Sequence, residues 1–197
     1  MRSIKNLLVV SGISLLATSC ATFPNNRLAK MPDTAASKTK KVSLTYSYKA
    51  GHDLTGSRTE FPPETIQSLE QGFTKTLDNS GRFSSVRNGK GGSVQVDMDM
   101  LNHGNGTAAF ASGFISGFSL FTIPGFAVDN YKLTATARAS SGKSRQYVLE
   151  DGATTTFWLP LIVATPFCSS TTVIPKVQEN MYRHLIQNME NDGILPK

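Results

Sequence analysis

The chain has 197 residues, with 20 Lys plus Arg against 14 Asp plus Glu and a formal net charge of +6. That length suits one domain with a full core. The basic excess is small and scattered, so it excludes a nucleic-acid-binding face while suiting anionic lipid headgroups.

Residues 1–19 read as a secretory leader. Arg2 and Lys5 precede an apolar run from Leu7 to Leu16, and small residues then lead to Cys20. This is the three-part plan of a signal peptide, and the run is shorter than the ~20 apolar residues of a spanning helix. Ala17-Thr18-Ser19-Cys20 resembles a bacterial lipobox, with Ala17 at the place where leucine is usual. The resemblance implies that Cys20 is acylated and becomes the mature N-terminus. Ala21, where an aspartate would hold such a protein in the inner membrane, implies delivery to the periplasmic face of the outer membrane. Residues 20–41 are polar, with Pro24, Pro32 and the basic group Lys38, Lys40 and Lys41, and read as a flexible tether. Cys168 then has no partner within the chain, and the apolar run before it places it in the core.

The domain is expected over 42–197. Val42, Leu44, Tyr46 and Tyr48 alternate with polar residues and predict a strand. Pro62 and Pro63 open a helix whose stripe is Ile66, Leu69, Phe73 and Leu77, with Gly81 as its left-handed cap. A short strand over 82–87 and a glycine-rich turn over 89–92 follow. Val94, Val96, Met98 and Met100 mark a strand, and Tyr131, Leu133, Ala135 and Ala137 mark another. The turn Ser140-Ser141-Gly142-Lys143 leads into a further strand over about 144–150. The last helix is expected over about 175–191, on Val177, Met181, Leu185 and Met189, with Ile194 and Leu195 folding back over its end. The expected fold is α+β, a mixed or antiparallel sheet of about four to five strands with two helices packed on one face.

Two apolar insertions interrupt this plan. Residues 104–128 and 152–175 carry no charge at all. In the first, Phe110, Phe114 and Phe118 recur every four residues and share one face of a helix, while Ala109, Gly113 and Gly117 share another, a spacing that lets helices approach closely in membranes. The second holds Trp158, Leu159 and Leu161, and its prolines Pro160, Pro166 and Pro175 prevent one continuous helix. Three readings stand: a cover for the core, a surface on the bilayer, or an interface with a partner or a second copy. The residues singled out for a membrane or partner surface are Phe110, Phe114, Phe118, Phe121, Trp158, Leu159 and Leu161. They are expected close together, since each insertion alone is too short to bury its own apolar residues.

No catalytic set emerges. His52, His103 and His184 have no metal-site spacing. Asp97, Asp99 and His103 read as a solvated strand face and its loop, and Cys168-Ser169-Ser170 has no local base. HGNG at 103–106 and GKGG at 89–92 lack phosphate-loop spacing. The strand–helix–strand opening, with its helix running into LDNSGRFSSV, and the closing helix resemble small α/β lipoproteins of the bacterial envelope. These include curli-secretion-type lipoproteins, auxiliary lipoproteins of ABC transporters and lipoprotein activators of cell-wall synthases. The likeness is architectural, covers 42–102 and the last helix, and carries no functional residue across. The expected function is a non-enzymatic accessory or binding module, anchored through Cys20, without cofactor or metal, that meets an envelope protein or lipid. The alternative is a subunit of an envelope secretion or transport assembly, a homo-oligomer whose insertions enter the bilayer.

Overall fold

The computed structural model describes residues 20–32, 41–163 and 167–196, so the expected leader lies outside the described residues. The strands are β1 (Cys20–Pro24), β2 (Val42–Asp53), β3 (Arg58–Glu60), β4 (Phe83–Asn88), β5 (Val94–His103), β6 (Gly125–Ala139) and β7 (Ser144–Phe157). The helices are α1 (Pro63–Ser80), α2 (Gly106–Phe118) and α3 (Ser170–Asn191), and Leu159–Val163 forms a 3-10 turn. The class is α+β, but the expected sheet of four to five strands with two helices is corrected. The described residues form one 7-stranded mixed sheet, in the order β1-β7-β6-β5-β2-β3 with β4 also on β2, and three α-helices.

The strands beyond five are β1 and β3, the latter three residues paired antiparallel to the end of β2, and the added helix is α2 within the first insertion. β6 and β7 keep pairing beyond the expected turn-proximal part, from Asp129↔Ala153 out to Gly125↔Phe157, so the hairpin absorbs parts of both insertions. β1 lies in the stretch read as a tether and pairs antiparallel with β7, Cys20 opposite Phe157 and Pro24 opposite Ala153. Residues 25–32 then cross α3 as a strap. Met31 N donates to Asn180 Oδ1 at 2.9 Å, and Asn180 Nδ2 donates back to Ala29 O at 3.2 Å. His184 Nε2 lies 2.8 Å from the same carbonyl.

The core sits between one sheet face and the pair α1 and α3. Residues opposite one another in a sheet share a face, so Met98, Ala135 and Tyr147 form one row and Met100, Leu133 and Leu149 the next. Both rows are buried beneath Phe73 and Leu77 of α1 and Met181, Tyr182, Leu185 and Met189 of α3. Phe73 meets Tyr46 edge-on at 5.2 Å and Tyr182 at 5.3 Å between ring centroids. The Tyr48 and Tyr182 hydroxyls share a buried hydrogen bond of 2.8 Å. α1 opens on Pro63 and closes on Gly81 at φ 67°, the left-handed cap its sequence requires. α3 starts at Ser170, five residues before the expected Pro175, which stands inside the helix. Arg82, just after α1, bridges to Glu190 of α3 at 2.5 Å, with both side chains largely buried.

The glycine-rich 89–92 turn has a structural role. β4 and β5 both run parallel to β2 but lie on its opposite edges. The chain therefore crosses the face of β2 within a few residues. At Gly92 an added Cβ would lie only 2.7 Å from Thr45 N, so glycine alone lets the two backbones pass. Gly92 N donates to Thr45 Oγ1 at 3.2 Å, which settles the crossing.

Candidate functional site

α2 is built inside out. Asn105 caps it, its side chain accepting from Ala108 N at 2.9 Å. The face turned to the sheet carries serines. Ser112 Oγ accepts from Phe126 N at 2.7 Å, and Ser116 Oγ donates to Phe157 O at 3.1 Å. Ser116 is fully buried. Gly125 leaves the space for this contact, because an added Cβ would lie 2.7 Å from Ser116 Cβ and 2.8 Å from Ser112 O.

The opposite face carries the phenylalanines. Phe110, Phe114 and Phe118 are 76%, 64% and 85% exposed. Their rings stack in a row, with centroids 6.5 and 6.4 Å apart. The stripe of Ala109, Gly113 and Gly117 is not what seats α2 within this chain: a Cβ on Gly113 or Gly117 would meet nothing within 4 Å. The serines make the contact instead.

After α2 the chain reverses through Leu120 and Phe121, both left-handed at φ 52° and 60°, an unfavourable conformation for bulky side chains. Phe121 N donates to Ser116 O at 2.7 Å, and its carbonyl accepts from Leu159 N at 2.9 Å. Trp158 Nε1 donates to Thr122 O at 3.3 Å. Backbone and side-chain bonds thus join the two apolar insertions at one end of the sheet. Leu161 N continues the turn, donating to Trp158 O at 2.9 Å.

Cys20 heads β1 at the same end. It stands opposite Phe157, the residue whose carbonyl holds Ser116. Thr22 N donates to Cys168 O at 2.6 Å, which covers the outer edge of β1; Cys168, expected in the core, is half-buried. Phe23, Phe126 and Val128 add exposed apolar surface on the sheet face away from the core, where Phe23 and Val128 flank Thr154. Among the described residues, the large apolar side chains that remain exposed all come from this end except Val148.

The structure brings Phe110, Phe114 and Phe118 into one row and ties them, through Phe121, to Trp158 and Leu159. It also adds residues that the sequence reading did not single out: Leu120, Ile123, Val163 and Phe167, all more than half exposed. The signal for them was the absence of charge over both insertions.

The polar candidates are engaged elsewhere. Asp97 accepts from Ser47 Oγ at 2.8 Å and pairs with Arg138, and these bonds hold its carboxyl below the usual carboxylate range. Asp99 takes Arg58 in a two-point grip at 2.7 and 2.8 Å. His52 lies tilted at 38° against Phe61, with ring centroids 5.4 Å apart, and its buried Nδ1 makes no hydrogen bond among the described residues. Among the described residues no group of three or more His, Cys, Asp or Glu is placed to hold a metal ion, and no helix is long and apolar enough to cross a membrane.

No family model matches the chain, and no curated protein matches it. Among solved structures it is similar to protein XCC0632 of Xanthomonas campestris, of family DUF330, at a TM-score of 0.38 and 10% identity over 84% of this chain and 89% of that one. It is also similar to PelC of Paraburkholderia phytofirmans, solved as a dodecamer, at a TM-score of 0.26 and 13% identity over 80% of this chain and 97% of that one. At these scores the likeness says nothing of function.

Proposed function

We propose that the chain is an accessory lipoprotein of the bacterial cell envelope, anchored through an acylated Cys20 at the periplasmic face of the outer membrane and acting by binding rather than by catalysis. One observation carries this reading. The cysteine that closes the lipobox-like Ala17-Thr18-Ser19-Cys20 is also the first residue of β1, at the end of the sheet that gathers the exposed apolar side chains. An apolar anchor at Cys20 therefore emerges where the surface is already apolar.

The charged side chains in the cleft between α1 and α3 serve the fold. The cavity of about 330 Å³ between α1 and α3 is lined by Arg82, Glu179, Arg183 and Glu190. These side chains pair with one another, Arg82 with Glu190 and Arg183 with Glu179.

Metabolic labelling with a fatty-acid probe tests the anchor. The wild-type chain should take up label and fractionate with outer membranes, and Cys20→Ser should take up none and accumulate as precursor or soluble protein. Equal labelling of the two would remove the basis for this function.

A further inference from the structure

We propose that the outward face of α2 is a second membrane contact, set beside the Cys20 anchor, so that the domain lies directly on the bilayer without a spacer. This rests on the anchoring reading and adds the surface, its orientation and its lipid contact. The first observation is the inversion of α2. A helix folded to serve its own domain turns its large apolar side chains toward the sheet. Here Ser112 and Ser116 face the sheet, while Phe110, Phe114 and Phe118 point away from it. These rings contribute nothing to the core and form a stacked apolar ridge on a stretch without charge.

The second observation identifies the occupant. Cys20 lies opposite Phe157, and Phe157 O holds Ser116 of α2. Adjacent strands lie about 4.8 Å apart, so the anchor point and the helix are close neighbours. β1 is paired along its whole length to β7, and the strap after it is bonded across α3. No free chain separates the anchor from the domain. Acyl chains attached at Cys20 therefore enter the bilayer beside the ridge. Phenylalanine and tryptophan are well suited to the boundary between headgroups and acyl chains, and Trp158 stands at the same end, bonded to Thr122.

The orientation follows. The far end of the sheet, with the 89–92 crossing and the turn around Gly142, points away from the membrane.

Trp158 is the only tryptophan, so its emission reports on this one place. The full chain, reconstituted in phosphatidylethanolamine–phosphatidylglycerol vesicles, is mixed with lipids brominated at defined acyl positions. Strong quenching of Trp158 is expected, greatest for bromines near the headgroup. The triple variant Phe110→Ser, Phe114→Ser and Phe118→Ser should keep its fatty-acid label on Cys20 and its melting midpoint, yet lose most of the quenching. If wild-type Trp158 is not quenched while Cys20 carries label, the docking surface is overturned and the anchor stands. If Cys20 takes up no label, the anchoring reading itself falls. A photo-reactive phenylalanine at position 114 keeps the question open to test should the triple variant misfold. Adducts with lipid are expected, and adducts of twice the chain mass, or with the chain's own first residues, would overturn lipid as the occupant.

Discussion

All five tyrosines of the chain, Tyr46, Tyr48, Tyr131, Tyr147 and Tyr182, have phenol pKa values raised above the ordinary 10.0, with burial as the main cause at each. Tyr147 is pushed up to about 12, and Tyr48 is raised further by the neighbouring Tyr182 hydroxyl. The native state thus keeps protons that the unfolded chain gives up above about pH 10. The stability from these groups is complete below that pH and is lost as the pH rises through the native values. A phenolate absorbance titration should show little ionisation at about pH 10 in the folded protein and full ionisation in denaturant. The melting midpoint should fall steeply over the same alkaline range, and less steeply in Tyr48→Phe with Tyr182→Phe. A native titration indistinguishable from that of free tyrosine would show that these rings are not buried.

Among the elements, β5 and the core-proximal part of β6 are legible in the sequence because each alternates cleanly between a wet face and a dry one. α1 is legible from its proline start, its stripe and Gly81. β1 is not. Cys-Ala-Thr-Phe-Pro has no usable alternation, and Thr22 is buried because its hydroxyl meets that of Thr155 at 2.9 Å, a partner far away in the chain. α2 is half legible. The spacing of Phe110, Phe114 and Phe118 shows that they share a face, but not that this face turns outward, because nothing in the sequence marks Ser112 and Ser116 as the residues that meet Phe126 N and Phe157 O. Gly125 decides that direction. Gly125→Ala should push α2 off β6, with faster amide exchange through residues 106–118, shifted Trp158 emission and unchanged exchange in β5. Unaltered exchange in α2 would mean that the helix is seated by something other than this contact.

For the whole molecule, stability and surface apolarity are assigned to different residues. The core depends on side chains such as Leu77, which is fully buried between α1 and the sheet. Leu77→Ala should cost about 2–5 kcal/mol by removing methyl groups and leaving a cavity. Phe118→Ser should change stability by no more than about 0.5 kcal/mol, as a surface substitution does. Chemical denaturation of the two variants separates these outcomes, and a large loss from Phe118→Ser would place α2 in the core after all.

The pairing of β1 with β7 joins residues 133 positions apart at Thr22 and Thr155. Contacts of such long range close late, since the intervening chain must be ordered first. Under the export and anchoring proposed above, Cys20 would leave the translocon long before β7 has crossed to receive it. The cysteine is therefore in extended, accessible chain while processing enzymes can act on it, and is drawn into the sheet only once nearly all of the chain has crossed. The proposed acylation would thereby precede folding, an order set by the position of one edge strand.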